Sequence, residues 1–338
     1  MGYTMNRQTF NEVLARLGKS YRLYAPVRKI GEGRFTDVDV VRYDFVSSLE
    51  EMELAAKSDY SFKELLTPLS RTLFYFVENE TKEADMDTSD AIIFLRSCDL
   101  HAVKSLDDIY LNNKFEDPFY KKIREHVKFA LIGCPKAFDN CFCVDMGSNI
   151  STEGYLFSLD VEGDEVRSDV KDPEVAAVFE EMHAAKAEIA PSHVEETAVR
   201  VRIPETVPNS VYKDPLWDEY SSRCIDCGRC TTVCPSCTCF TMQDTFYSDN
   251  GKVGERRRVA GSCMLNGYTT VAGGGQYRRT NGERMRFKVL HKIYDHRRRF
   301  GYNMCVGCGR CDDVCPEYIS FSNIINKVCD ASAKEEQQ

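Results

Sequence analysis

Apolar residues near the start of the chain fall at helical spacing: Phe10, Val13, Leu14 and Leu17, with Thr9 placed to cap the first turn, predict a short amphipathic helix. Farther on the period changes. Leu73-Phe74-Tyr75-Phe76-Val77 reads as an apolar, aromatic strand. The unbroken runs Ala91–Leu95 and Val127–Ile132 read as parallel strands buried on both faces. Between them, Asp99 to Phe119 carries Val103, Leu106, Ile109 and Tyr110 at helical spacing, so strand, helix and strand make one βαβ unit. Residues 151–203 are more polar, with strand character around Tyr155–Val161 and an Ala/Glu-rich helix over Pro173–Ile189. Ile319, Phe321, Ile324, Ile325 and Val328 mark a last helix. Gly31-Glu32-Gly33-Arg34-Phe35 lacks the third glycine of a dinucleotide fingerprint and is read as a tight turn.

With 338 residues, the chain is long enough for two domains at roughly 100–200 residues each. Hydrophobic residues at 43% and charged residues at 29% suit a protein with a sizeable core and argue against disorder. The first residues have no apolar core or cleavage site of a secretory signal, and no run approaches the ~18 apolar residues of a membrane span. A cytoplasmic location is therefore expected. Sixteen cysteines then call for metal or redox chemistry, because thiols stay reduced there and disulfides are rare.

Charge divides the chain at the same place as cysteine density. Residues 1–220 hold 26 basic and 41 acidic residues, whereas residues 221–338 hold 18 and 12. Twelve of the sixteen cysteines lie in the second part, and Pro204, Pro208 and Pro215 punctuate the change. The predicted organisation is an α/β domain over residues 1–205 and a mainly α-helical dicluster ferredoxin-type domain over residues 206–338.

The second domain carries a repeat. Cys224-Ile225-Asp226-Cys227-Gly228-Arg229-Cys230-Thr231-Thr232-Val233-Cys234-Pro235 returns, 81 residues later, as Cys305-Val306-Gly307-Cys308-Gly309-Arg310-Cys311-Asp312-Asp313-Val314-Cys315-Pro316, identical at eight of twelve positions. Each copy has the spacing that bacterial ferredoxins use for [4Fe–4S] clusters. Three close cysteines on one loop can cap three corners of a cubane, and the fourth thiolate then comes from the other loop. One cluster is thus expected on Cys224, Cys227, Cys230 and Cys315, the other on Cys305, Cys308, Cys311 and Cys234. Structural zinc prefers two cysteine pairs separated by a spacer, a pattern these loops do not follow.

Between the repeats, residues 251–300 hold 13 basic and 3 acidic residues. Nucleic acid is one conceivable partner. Cluster–thiolate assemblies are anionic, however, and neighbouring basic residues raise their potential or dock an acidic protein, so this stretch is assigned to the clusters. A less regular cysteine set lies in the first domain. Cys98 and Cys134 each follow a buried strand, and Cys141 and Cys143 follow by a short loop. If the strands are neighbours, the four converge at the carboxyl edge of the sheet, enough for a third [4Fe–4S] cluster, with simple thiol burial as the alternative. Cys237, Cys239 and Cys263 are expected to line the cluster environment, and Cys329 is a bystander. The six histidines show no ligand spacing, and no P-loop or nucleophile elbow is found, so no catalytic residue is assigned.

The sequence resembles the iron–sulfur electron-transfer subunits of anaerobic sulfite reductases and, more broadly, the iron–sulfur β subunits of sulfhydrogenase-type hydrogenases. The resemblance runs through Leu73-Phe74-Tyr75-Phe76, Arg96-Ser97-Cys98-Asp99-Leu100-His101-Ala102, Asn140-Cys141-Phe142-Cys143-Val144-Asp145-Met146-Gly147, Cys234-Pro235-Ser236-Cys237-Thr238-Cys239-Phe240 and both ferredoxin motifs. It implies an electron-transfer subunit of a cytoplasmic complex. A flavin- and NADH-binding subunit would supply electrons, and a sirohaem subunit would reduce sulfite to sulfide. The iron–sulfur β subunit of a soluble hydrogenase or sulfhydrogenase is the alternative, and a metal-stabilised nucleic-acid-binding module is the alternative of another class.

Overall fold

In the computed structural model, which describes residues 1–33 and 37–336, the chain folds around two β-sheets and a cysteine-rich, loop-dominated region. The elements in order are β1 (Gly2–Asn6), α1 (Arg7–Leu17), β2 (Arg22–Lys29), β3 (Val40–Phe45), α2 (Lys63–Leu66), β4 (Ser70–Val77), β5 (Glu80–Glu83), β6 (Ala91–Arg96), α3 (Ser97–Tyr110), α4 (Pro118–Arg124), β7 (Val127–Ile132), β8 (Ser158–Glu162), β9 (Glu165–Asp169), α5 (Pro173–Glu181) and β10 (Ala185–Ala187). There follow α6 (Asp218–Arg223), α7 (Arg229–Thr232), β11 (Phe240–Phe246), β12 (Val253–Ala260), α8 (Asn281–Leu290), a π-helical turn (His291–Asp295), α9 (His296–Phe300), α10 (Arg310–Asp313) and α11 (Phe321–Glu336). Of the predicted tight turn, Gly31 has φ +69° and Gly33 N–H donates to Val38 O at 2.7 Å; Arg34 and Phe35 lie outside the described residues.

The large sheet has eight strands in the order β10-β1-β9-β8-β7-β6-β2-β3. Its centre is parallel, with Ala91 opposite Val127 and Arg96 opposite Ile132. Alternation along these strands divides the apolar residues between two layers. Ile92, Phe94, Ala130 and Ile132 join Phe10, Leu14, Phe157 and Phe179 on the face covered by α1 and α5. Ile93, Leu95, Phe129 and Leu131 face α3 with Phe62, Leu106 and Tyr120. The capping residue of α1 is Asn6, whose Oδ1 accepts from Thr9 N–H at 2.8 Å, so the helix starts earlier than Thr9 suggested. The helix predicted over 173–189 stops at Glu181, and the chain turns to place β10 on the edge beside β1.

The second sheet joins the two halves of the sequence. Its order is β11-β12-β4-β5, with Phe76 opposite Gly254 and Arg71 opposite Arg258. The β4–β5 hairpin, from the first segment, thus pairs with the β11–β12 hairpin that lies between the two cysteine repeats. Residues 206–338 are therefore not helical throughout, and one sheet crosses the expected boundary. A third apolar layer, built on Trp217, Met264, Val289, Ile293, Ile324 and Val328, holds α8 and α11 against the cysteine loops and takes in Phe142 from the first segment.

Candidate metal centres

The two repeats build matching loops. In each, the residue after the second cysteine is a glycine in the left-handed region that starts a short helix: Gly228 (φ +73°) before α7 and Gly309 (φ +72°) before α10. The position before the second cysteine also has positive φ, as Asp226 in the first loop and Gly307 in the second. The difference has a steric cause. A Cβ on Gly307 would sit 2.6 Å from the carbonyl of Phe142, because the loop carrying Cys141 and Cys143 packs directly on the second repeat. Asp226 meets no such neighbour; its carboxylate accepts from Asn266 N–H at 2.9 Å and faces Arg284 at 3.6 Å.

Two hollows open between the loops. The outer, of about 500 Å³, is bordered by Cys224, Cys227, Cys230 and Cys315, together with Cys311. The inner, of about 350 Å³, is bordered by Cys305, Cys308, Cys311 and Cys234, together with Cys230. Each hollow therefore meets three thiols of one repeat and the last cysteine of the other. Cys227 is exposed, whereas Cys308 is buried, so the outer hollow lies at the surface and the inner one does not. Among the described residues no three His, Cys, Asp or Glu side chains close tightly on a single ion. The thiols instead gather in two groups around the hollows, and an all-thiol donor set suits [4Fe–4S].

Burial governs the acidity of these thiols. It pushes Cys305 up to about 12, and Cys308 and Cys311 also rise through burial. Ionising them in this environment without a cation is costly, so metal uptake has to release their protons.

The third set also comes together. Cys98 opens α3 directly beyond β6, and Cys134 stands just beyond β7, its neighbouring parallel strand. Burial raises the Cys143 thiol to about 12, and Cys141 and Cys134 are the charged neighbours that add to the shift. Cys98, likewise raised by burial, has Cys308 and Cys143 among its neighbours. The loop that carries the pair is tied to the second repeat: Phe142 N–H donates to Gly307 O at 2.8 Å, Ser148 Oγ to Val306 O at 2.6 Å, and Asn140 Nδ2 to Asp313 Oδ1 at 2.6 Å. The third set therefore adjoins the inner hollow.

Buried polar residues hold this junction, most of them without a signal in the sequence. Arg310, of the second repeat, makes a two-pronged pair with Asp99 of α3 at 2.7 and 2.9 Å and also binds Ser58. The ion pair is almost fully buried, at 2% and 0% exposure. Lys57 pairs with Asp313 and donates to Cys308 O at 3.1 Å. Lys63, on α2, donates to Thr231 O at 3.3 Å and Cys237 O at 2.9 Å. Much of the basic stretch is paired within the chain. Arg256 pairs with Asp244, Arg257 with Glu255 and Arg258 with Asp117, while Arg297 donates to the carbonyls of Pro204 and Glu205. Lys288 and Lys292 turn inward toward the cysteines. Their spacing among Val289, Leu290 and Ile293, lysines on an otherwise apolar helix face, was the available signal.

The π-helical turn serves the second repeat. The Lys292 carbonyl in this turn accepts from Met304 N–H at 2.8 Å and Cys305 N–H at 3.2 Å. Cys237 is buried beside Cys234, and the Cys239 thiol is held down to about 6 by the Cys263 thiol that donates to it. Cys329 lies on α11 away from either hollow, half-buried.

Residues 223–319 match the family model for a 4Fe-4S dicluster domain. The chain is 28% identical over 350 residues to sulfhydrogenase 2 subunit beta of Pyrococcus furiosus, an alignment covering 96% of this chain and 97% of that one. No solved structure matches. Among the described residues no helix is long and apolar enough to cross a membrane. The match falls on the stretch that holds both cysteine repeats, which supports [4Fe–4S] binding there.

Proposed function

We propose that the chain is the electron-transferring iron–sulfur subunit of a multi-subunit oxidoreductase of the sulfhydrogenase β type. One [4Fe–4S] cluster is held by Cys224, Cys227, Cys230 and Cys315 and a second by Cys305, Cys308, Cys311 and Cys234. The observation that carries the reading is the exchange of the fourth thiol between the two hollows. Two adjoining all-cysteine sites, one at the surface and one inside, suit a relay that accepts an electron from one protein and passes it inward. The junction of Cys98, Cys134, Cys141 and Cys143 against the inner hollow supports a third [4Fe–4S] cluster as the next station. The near full-length likeness to a sulfhydrogenase β subunit supports a partner subunit of the hydrogenase kind.

A second reading keeps the same relay and changes the terminal acceptor. The Asn140-Cys141-Phe142-Cys143-Val144-Asp145-Met146-Gly147 stretch, which here packs on the inner centre, carries the resemblance to the electron-transfer subunits of anaerobic sulfite reductases. On that reading a flavin- and NADH-binding subunit supplies electrons and a sirohaem subunit reduces sulfite, all in the cytoplasm. Anaerobic affinity purification with metal, sulfide and haem analysis decides between them. A nickel-containing partner supports the first reading, and a sirohaem partner overturns it in favour of the second. About 12 irons per chain supports three clusters, about 8 supports two, and a chain that binds no iron sinks the relay altogether.

A further inference from the structure

Two lysines reach into the space between the hollows. Lys288 lies on α8 and Lys292 four residues on, in the π-helical turn, so their side chains leave the same face. Lys288 Nζ donates to Cys230 O at 3.3 Å and Thr231 Oγ1 at 3.1 Å and stands 4.0 Å from Cys237 Sγ. Lys292 Nζ donates to Cys234 Sγ at 3.2 Å and Ser236 Oγ at 3.0 Å. Both residues are 3% exposed. Among the described residues neither has a carboxylate within 4 Å, in contrast to two cations at the junction with the first segment, Arg310 with Asp99 and Lys57 with Asp313. A buried ammonium without a counter-ion is strongly disfavoured, so the balancing negative charge has to come from the hollows themselves.

The lysines are not shared equally. Both border the inner hollow, whereas the outer one has Lys288 and Arg229 offset by two carboxylates, Asp312 and Glu317. Two effects oppose each other. Solvent near Cys227 eases the extra negative charge of a reduced outer cluster, and burial resists that charge at the inner one. A full positive charge in hydrogen-bond contact with a ligand sulfur, with a second close by in the same low-dielectric space, outweighs the solvent term.

We propose that Lys288 and Lys292 act as fixed counter-charges that make the inner cluster the more easily reduced of the two. One electron then moves from the reduced outer cluster to the oxidised inner cluster, with no bond made or broken and no proton transferred. The inner cluster, beside the third cysteine set, becomes the resting place of the electron. This rests on the two-cluster reading above.

Potentiometric EPR of the full chain, purified anaerobically with its clusters, tests the proposal. The signal lost in Cys234→Ala identifies the inner cluster. In the wild type that signal is expected to appear at the higher potential. In Lys292→Met the reduced-to-oxidised ratio of the inner cluster at fixed potential should fall at least tenfold, about 59 mV for one electron. Lys292→Arg, which keeps the charge, should move it less. An inner midpoint unmoved in Lys292→Met, with iron content intact, overturns the proposal, as does an inner cluster that is the harder to reduce in the wild type. Should Lys292→Met lose iron, Lys288→Met decides, since Lys288 makes no hydrogen bond to an assigned ligand sulfur. A downward shift of the inner midpoint supports the proposal, and an unmoved one overturns it. A wild type without any reducible cluster refutes the two-cluster reading instead.

Discussion

On the large sheet, Phe94 and Phe157 meet edge to face at 5.7 Å inside an apolar layer, and Phe157 meets Phe179 in the same way. Around the cysteine loops the picture is reversed. Short helical turns such as α7 and α10 surround hollows of several hundred Å³, and buried charged groups such as Lys292 and Arg310 occupy places where the sheet has phenylalanine. The first region gains its stability by removing apolar surface from water, so it needs nothing but its own side chains. The second has thiols and ammonium groups where a closed core would be, and its stability depends on what fills the hollows. Phe142, Arg310, Lys57, Lys63 and the shared four-stranded sheet are among the contacts that join the two, so damage to one can reach the other through them.

The comparison breaks most visibly on removal of iron. Chelation under reducing conditions should erase amide protection over residues 224–235 and 305–316, by ~100-fold or more, while β6 and β7 keep theirs, as hydrogen exchange with mass spectrometry would show. Equal loss in both regions would mean that the sheet does not stand alone. At the junction, Asp99→Asn leaves Arg310 buried without its partner and should cost about 3–5 kcal/mol in denaturant unfolding. It should also lower iron content, because Arg310 starts α10 between Cys308 and Cys311. Phe157→Ala, in the sheet, should cost a comparable ~3–5 kcal/mol through the cavity it leaves, with iron per chain unchanged.

A smaller effect follows from His296, which burial, with His291 and Lys292 adding to it, holds down to about 4. The unfolded chain takes up that proton near the ordinary value of about 6.5, so it binds more protons than the folded state between the two. Stability should therefore decline as pH falls from about 6.5 toward 4, and His296→Phe should flatten part of that slope in melting curves. The smallest effect is expected at Arg256, whose pair with Asp244 lies at the surface of the second sheet. Arg256→Ala should change stability by less than about 1 kcal/mol and leave the EPR spectrum as it was.

How far the sequence reached depended on how local the physics was. The buried strands at Ala91–Leu95 and Val127–Ile132, and the helix between them, were legible because unbroken apolar runs fit few arrangements. The first helix was legible too, but its cap was not, since Asn6 and Thr9 are equally suited by type and only the backbone selects Asn6. The leading Leu73–Val77 strand was found, whereas its partner was not. Pairing with β12 joins residues more than 170 apart, and nothing in either strand names the other.

The spacing of the cysteines by itself pointed to [4Fe–4S] chemistry, because three thiols within seven residues can cap three irons of one cubane. The glycines at 228 and 309 belong to the same local logic. Only the tertiary structure decided the surroundings: which hollow lies at the surface, that the Cys141–Cys143 loop rests on Gly307, and that Lys288 and Lys292 point inward, without carboxylate partners among the described residues. Those are relations between segments distant in sequence. Their energies depend on burial and separation, which a one-dimensional pattern does not contain.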